Sequence, residues 1–283
     1  MDETGNIRKR FARQTYSVLL IFLAIAFVQW IIVSLVERCR KIFRHFEIYC
    51  SATCSVAGIL FTMFVFNENL RSKKIFSRAV AFLIVELLVF SMFVLIARTW
   101  IPDQMAFYFF CVLLMVVALI VGCHLSFTMD MTQYIAPLFL MSFILVTISI
   151  YFLVVNNFME KLKPYAYLIF EICLTSVMTL SVMLHAQTIS GDRMVQMSSD
   201  DSLLAALFLF NEFLAVYAMT FYWQINYNYF TSTDFLWMST STKHSHDTTP
   251  VNSDYDYDMT PDGQEWGIQN DTNYDWAKEM VHR

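Results

Sequence analysis

Seven apolar stretches, separated by short polar connections, run through most of the chain. Their predicted limits are residues 16–35, 46–66, 80–97, 104–127, 131–155, 165–186 and 202–224. At about 1.5 Å of rise per residue, helices of this length cross a bilayer. Lipid offers no partner to backbone N–H and C=O groups, so each span is predicted to be a helix. The pattern gives an all-α membrane protein: a basic segment at 1–15, a seven-helix domain at 16–224 and a disordered tail at 225–283. Pro164 suits the first turn of span six, Gly191 suits its end, and Ser198 or Ser199 is placed to cap span seven. The first stretch has a basic flank but no small-residue cleavage site, so it reads as a retained span.

Composition sharpens this picture. The 283 residues are 57% hydrophobic and 15% charged, which excludes an ordinary soluble domain. The net charge of −5 belongs to the tail, where Ser, Thr, Asp and Tyr dominate; the seven-span region is slightly basic. Arg8, Lys9, Arg10, Arg13, Arg71, Lys73, Lys74, Arg78 and Arg193 fall on one side. Arg38, Arg40, Lys41, Arg44, Arg98, Lys161 and Lys163 fall on the other. Counted over the N-terminus and the loops between spans, nine against seven narrowly favours an N-terminus on the inner side, with Lys243, Lys278 and Arg283 of the tail then on the outer side. Tyr222, Trp223, Tyr227, Tyr229, Phe230 and Trp237 mark the headgroup belt after span seven.

Of the six cysteines, all but Cys39 lie in apolar stretches, so a disulfide framework is not expected. Cys50 and Cys54, four residues apart, read as buried structural cysteines rather than a metal pair. His244 and His246 lie among aspartates in the tail, which reads as solvated. Asn270-Asp271-Thr272 is a glycosylation sequon, with Asn270 the acceptor if the tail is luminal.

The candidate chemistry is electrostatic. Glu86, Glu171 and Glu212 lie at depth in spans three, six and seven, and no Lys or Arg lies within any predicted span. A charge at the bilayer centre costs roughly 2.5–3.5 kcal/mol on insertion scales, so each acid must hold a proton, pair with a histidine, or meet water and passing cations. Glu212, near the midplane beside Asn211, is the foremost of the three. For Glu171 and Glu86 a protonated packing role between helices weighs about as much as a functional one. His124 and His185 are the basic side chains at comparable depth, and His124 reads as an interfacial residue.

The hairpin from span six to span seven resembles that of the Bax-inhibitor, or Lifeguard, family of seven-span proteins. In the family, span six ends in Asp-Thr-Gln, followed by a short acidic loop and an Ala-Ala-Leu-Asn-Leu-Tyr-x-Asp opening to span seven. The corresponding residues here are His185-Ala186-Gln187, then Gln196 to Asp201, then Ala205-Ala206-Leu207-Phe208-Leu209-Phe210-Asn211-Glu212. Arg8 to Leu20 resembles the family's entry into span one, and Phe82 to Glu86 its span-three Phe-Thr-Leu-x-Glu. Asp130-Met131-Thr132 resembles the Asp-Phe-Thr after span four, and Tyr165-Ala166-Tyr167 the start of span six. The resemblance covers about residues 8–224.

What the resemblance implies is a passive, pH-sensitive Ca²⁺ leak across an intracellular membrane, endoplasmic reticulum or Golgi, linked to protection from apoptosis. In the family, paired aspartates of spans six and seven share protons and gate the pathway. Carried over, Glu212 keeps the span-seven acid and offers a transient contact to Ca²⁺, while His185 replaces the span-six aspartate. Asn211, Gln187, Glu86, Glu171 and Asp130 are secondary members of the pathway. No resident cofactor is expected, Ca²⁺ being the transported ion; the partners implied are the lipid bilayer and cell-death regulatory membrane proteins, with no nucleic acid. The alternative is a non-conducting relative acting through partners, by way of the tail or the basic loops. A seven-helix receptor lacks support, since neither an Asp-Arg-Tyr-like motif after span three nor Asn-Pro-x-x-Tyr in span seven is present. No nucleophile–base pair or metal triad supports an enzyme.

Overall fold

In the computed structural model the first compact unit of the chain is Met1–Ser239. The structure describes residues 2–125, 130–158, 163–191, 197–198 and 201–227, all in the first unit. These form α1 (Asp2–Leu35), α2 (Glu37–Phe43), α3 (Glu47–Phe66), α4 (Glu68–Ser72), α5 (Lys74–Ser91), α6 (Phe93–Arg98) and α7 (Ile101–Leu125). A 3₁₀ turn, Met131–Tyr134, leads into α8 (Ile135–Phe158), and α9 (Lys163–Ser190) and α10 (Ser202–Tyr227) complete the order. Seven helical segments are long and apolar enough to cross a membrane, in the expected order, and no strand occurs among the described residues.

Several boundaries differ from those expected. The basic segment at 1–15 is not a separate element, because α1 runs through it without a break. Span three begins earlier, at Lys74, and is interrupted at Met92, which joins α5 to α6. Span seven starts at Ser202, and its first intrahelical bond runs from the Ala205 N–H to the Asp201 carbonyl at 3.0 Å. Asp201 therefore occupies the capping position instead of Ser198 or Ser199. Gly191 does end span six: its φ is +82°, and a Cβ there would lie 2.9 Å from the Arg8 side chain. Cys50 is buried as expected, whereas Cys54 faces outward.

The core is built around α10. Of its most apolar stretch 72% is buried, against 6% for that of span five, so span seven is the central post and span five lies at the periphery. Aromatic rings fill the space between α1, α7 and α10. Trp30 stacks on Tyr217 with centroids 4.9 Å apart, and its indole N–H donates to the Val89 carbonyl of α5 at 3.2 Å. The Tyr108 hydroxyl donates to the Leu23 carbonyl at 2.9 Å. Each buried polar tip thus finds an acceptor, as a low-dielectric interior requires.

Two sets of contacts close the ends. On the N-terminal face, Arg8 donates to the Met197 carbonyl at 2.7 Å, and Arg71 lies 3.7 Å from Asp201. On the opposite face, Arg40 and Arg44 donate to the Ala97 carbonyl at 3.1 and 3.3 Å, and Arg98 pairs with Glu47. These arginines cap the C-terminal end of span three, where the helix dipole favours cations. Burial and the neighbouring Arg44 push the Arg40 guanidinium below its ordinary value.

Candidate functional site

The hairpin of α9 and α10 brings His185 to Glu212. Ser181 and His185 are four residues apart on α9 and share a face; Phe208 and Glu212 do the same on α10. The Ser181 hydroxyl donates to Glu212 Oε1, and His185 Nδ1 lies 2.8 Å from the same oxygen. The imidazole is not aligned as a hydrogen-bond donor there, so the two groups are in close contact without a hydrogen bond. Phe208 stacks on the imidazole with centroids 5.1 Å apart, and its ring meets Phe61 of α3 edge-on at 5.4 Å. Span two thus braces the ring that holds the histidine.

The two carboxylate oxygens of Glu212 have different surroundings. Oε1 takes both polar partners. Oε2 is buried without a hydrogen-bond partner, and Glu212 lines a cavity of about 10 Å³ with Cys111, Met115, Thr179, Val182 and Phe213. That is room for about one water molecule. The Glu212 side chain is 7% exposed and that of His185 20%, so the histidine is the member nearer to the protein surface.

Chemically, this is an acid and a base in close contact. With one proton shared between them, imidazole and carboxylate together are neutral. Without it they carry −1, whichever group gave it up. Glu212 supplies a single carboxylate, and Ca²⁺ takes six to eight oxygens. Among the described residues no group of three or more His, Cys, Asp or Glu side chains could hold a metal.

The other expected residues are dispersed. Asn211 is exposed on α10 and turned away from the pair, because the residue next to a buried helical position points about 100° elsewhere. Gln187 is fully buried but serves another contact: its Oε1 accepts from the Met131 N–H at 2.8 Å. Its Nε2 reaches the Gly122 carbonyl at 3.5 Å, tying the start of span five and the end of span four to span six. Asp130 accepts from the Thr132 N–H at 3.0 Å and from the Thr132 hydroxyl at 2.6 Å, capping the 3₁₀ turn. Glu86 accepts at both oxygens from Gln29 Nε2, at 3.0 and 2.8 Å, between α1 and α5. Glu171 accepts from the Trp223 indole N–H. His124 is exposed near the end of α7, and Asn270 lies outside the described residues.

Ser181 and Phe208 were not foreseen, although both lie one helical turn from residues that were. No family model, curated protein or solved structure matches this chain.

Proposed function

We propose that the chain is a divergent member of the Bax-inhibitor family and forms a proton-sensitive, passive Ca²⁺ leak in an endoplasmic reticulum or Golgi membrane, with an anti-apoptotic role. The observation that carries this reading is the 2.8 Å contact between His185 and Glu212, which puts a titratable pair between spans six and seven. The pH response is placed at this pair because histidine is the side chain whose free form changes charge near neutral pH. Its sign follows from the charge balance: the leak closes as the pair takes up a proton and opens as it loses one.

A second reading is favoured by the cavity beside Glu212, which at about 10 Å³ admits a water molecule but no hydrated ion. In that reading the pair locks a non-conducting protein that regulates cell death through membrane partners. Ca²⁺ entry into liposomes carrying the purified protein separates the two, with Glu212→Gln as the companion. The leak reading expects flux in the wild type that is lost in the variant. Flux equal in both would remove Glu212 as the gate, and well-folded wild type without flux would favour the partner-binding reading.

A further inference from the structure

The seam that carries His185 and Glu212 at one end carries a second carboxylate contact at the other. On α9, Glu171, Met178, Val182 and His185 recur at steps of seven, four and three residues and share one helical face. On α10, Glu212, Val216, Met219 and Trp223 recur at steps of four, three and four and do the same. One end of the seam is closed by His185 on Glu212, and the other by the Trp223 indole N–H on Glu171. At about 1.5 Å per residue the two contacts are roughly 20 Å apart along α9.

Between them, at the level of Met178 and Thr179 on α9, lies the cavity beside Glu212. Cys111 of α7 lines the same cavity as Glu212, together with Met178 and Thr179, which lie between Glu171 and His185 along α9. Cys111 therefore stands between the two acids. No Lys or Arg occurs in α7, in α10, or in α9 beyond Lys163, so His185 is the basic side chain on this seam. Glu171 is only half-buried, and Trp223 is four residues from the end of α10, at the level of the aromatic belt. Tyr167 and Tyr222 stack beside it with centroids 3.7 Å apart.

We propose that Glu171 and Trp223 form the gate of this route on the face opposite the N-terminus, and that a cation passes from Glu171 past Cys111 to Glu212. The indole N–H occupies the carboxylate while the gate is closed; turning the indole aside frees Glu171 to receive the ion. This rests on the reading of His185 and Glu212 as the other gate, and it assigns Trp223 a positioning role.

Silver ion, a small cation that binds thiolates, tests the route in proteoliposomes of the full-length chain. After brief exposure at pH 7.5 the protein is denatured and alkylated, and the Cys111 peptide is read by mass spectrometry while Ca²⁺ flux is followed in parallel. The expected result is that silver protects Cys111 and blocks flux, and that Cys111→Ala removes the block. Trp223→Phe keeps a ring but drops the N–H. A hydrogen bond to a charged group is worth about 1.5–3 kcal/mol, so this change should speed protection at least tenfold. Glu171→Gln should slow it. Flux with Cys111 unprotected would overturn the route and leave the leak standing. Protection without flux would support the gate and remove the leak. Absence of both would overturn both, and an unchanged rate in Trp223→Phe would overturn the gate.

Discussion

Gly122 sets the distance between spans four and six, and adding one methyl group tests how tightly. A Cβ at this position would lie 2.8 Å from the Met183 carbonyl oxygen, 2.9 Å from the Met183 Cα and 2.9 Å from the Ala186 Cβ. Two of these atoms are backbone and do not swing away, so the helices must separate. Overpacking of this kind costs about 1–3 kcal/mol. Against it stands the helix propensity gained by replacing Gly with Ala, about 0.8–1 kcal/mol. Gly122→Ala should therefore lose about 1 kcal/mol net. Gly58, in span two, supplies the control, since nothing lies within 4 Å of its Cβ position. Gly58→Ala has the propensity gain without the clash, so the two variants should differ by about 1–3 kcal/mol. Reversible unfolding in mixed detergent micelles, followed by tryptophan fluorescence, measures both. Equal stabilities would refute the close crossing of α7 and α9, and with it the register that brings His185 onto Glu212.

Three other expectations follow from single contacts. Gln187→Ala leaves the Met131 N–H buried without its acceptor and should cost about 1–3 kcal/mol in the same assay, whereas Gln187→Glu, which keeps an acceptor, should cost less. Ser181→Ala removes a donor from Glu212 without removing His185, so flux in liposomes should keep its pH response with a shifted midpoint; loss of the response would give Ser181 the role assigned to the histidine. With seven spans, α10 ends on the face opposite the N-terminus, so an inner N-terminus puts the tail in the lumen. Deglycosylation should then change the protein's mobility on a gel, and Asn270→Gln should abolish the change; an unmodified Asn270 would argue for the opposite orientation.

The spans were legible because the bilayer leaves the backbone few choices, so twenty apolar residues fix a helix whatever surrounds it. The pairing of His185 with Glu212 was legible from a resemblance, which set His185 apart from His124, the other basic side chain at depth. Rotation about the helix axes was not. Asn211 looked like a companion of Glu212 in sequence and points away in space. Cys54 looked buried and faces outward, since in lipid the outside of a helix is as apolar as its core. Gln187 was expected in the pathway, yet its amide holds a loop connection, a contact over 56 residues of sequence that no local pattern encodes. Ser181 could have been found by stepping back one turn from His185. The Trp223 contact with Glu171 needed the mutual register of α9 and α10, although each residue was prominent alone.

The central claim is that His185 and Glu212 gate a leak by sharing a proton. The most direct measurement is the pH profile of Ca²⁺ entry into liposomes between pH 6 and pH 7.5, for wild type beside His185→Ala. The account predicts flux that rises with pH in the wild type and a flat profile in the variant. A wild-type flux that falls with pH, or a variant that keeps the wild-type slope, would contradict it.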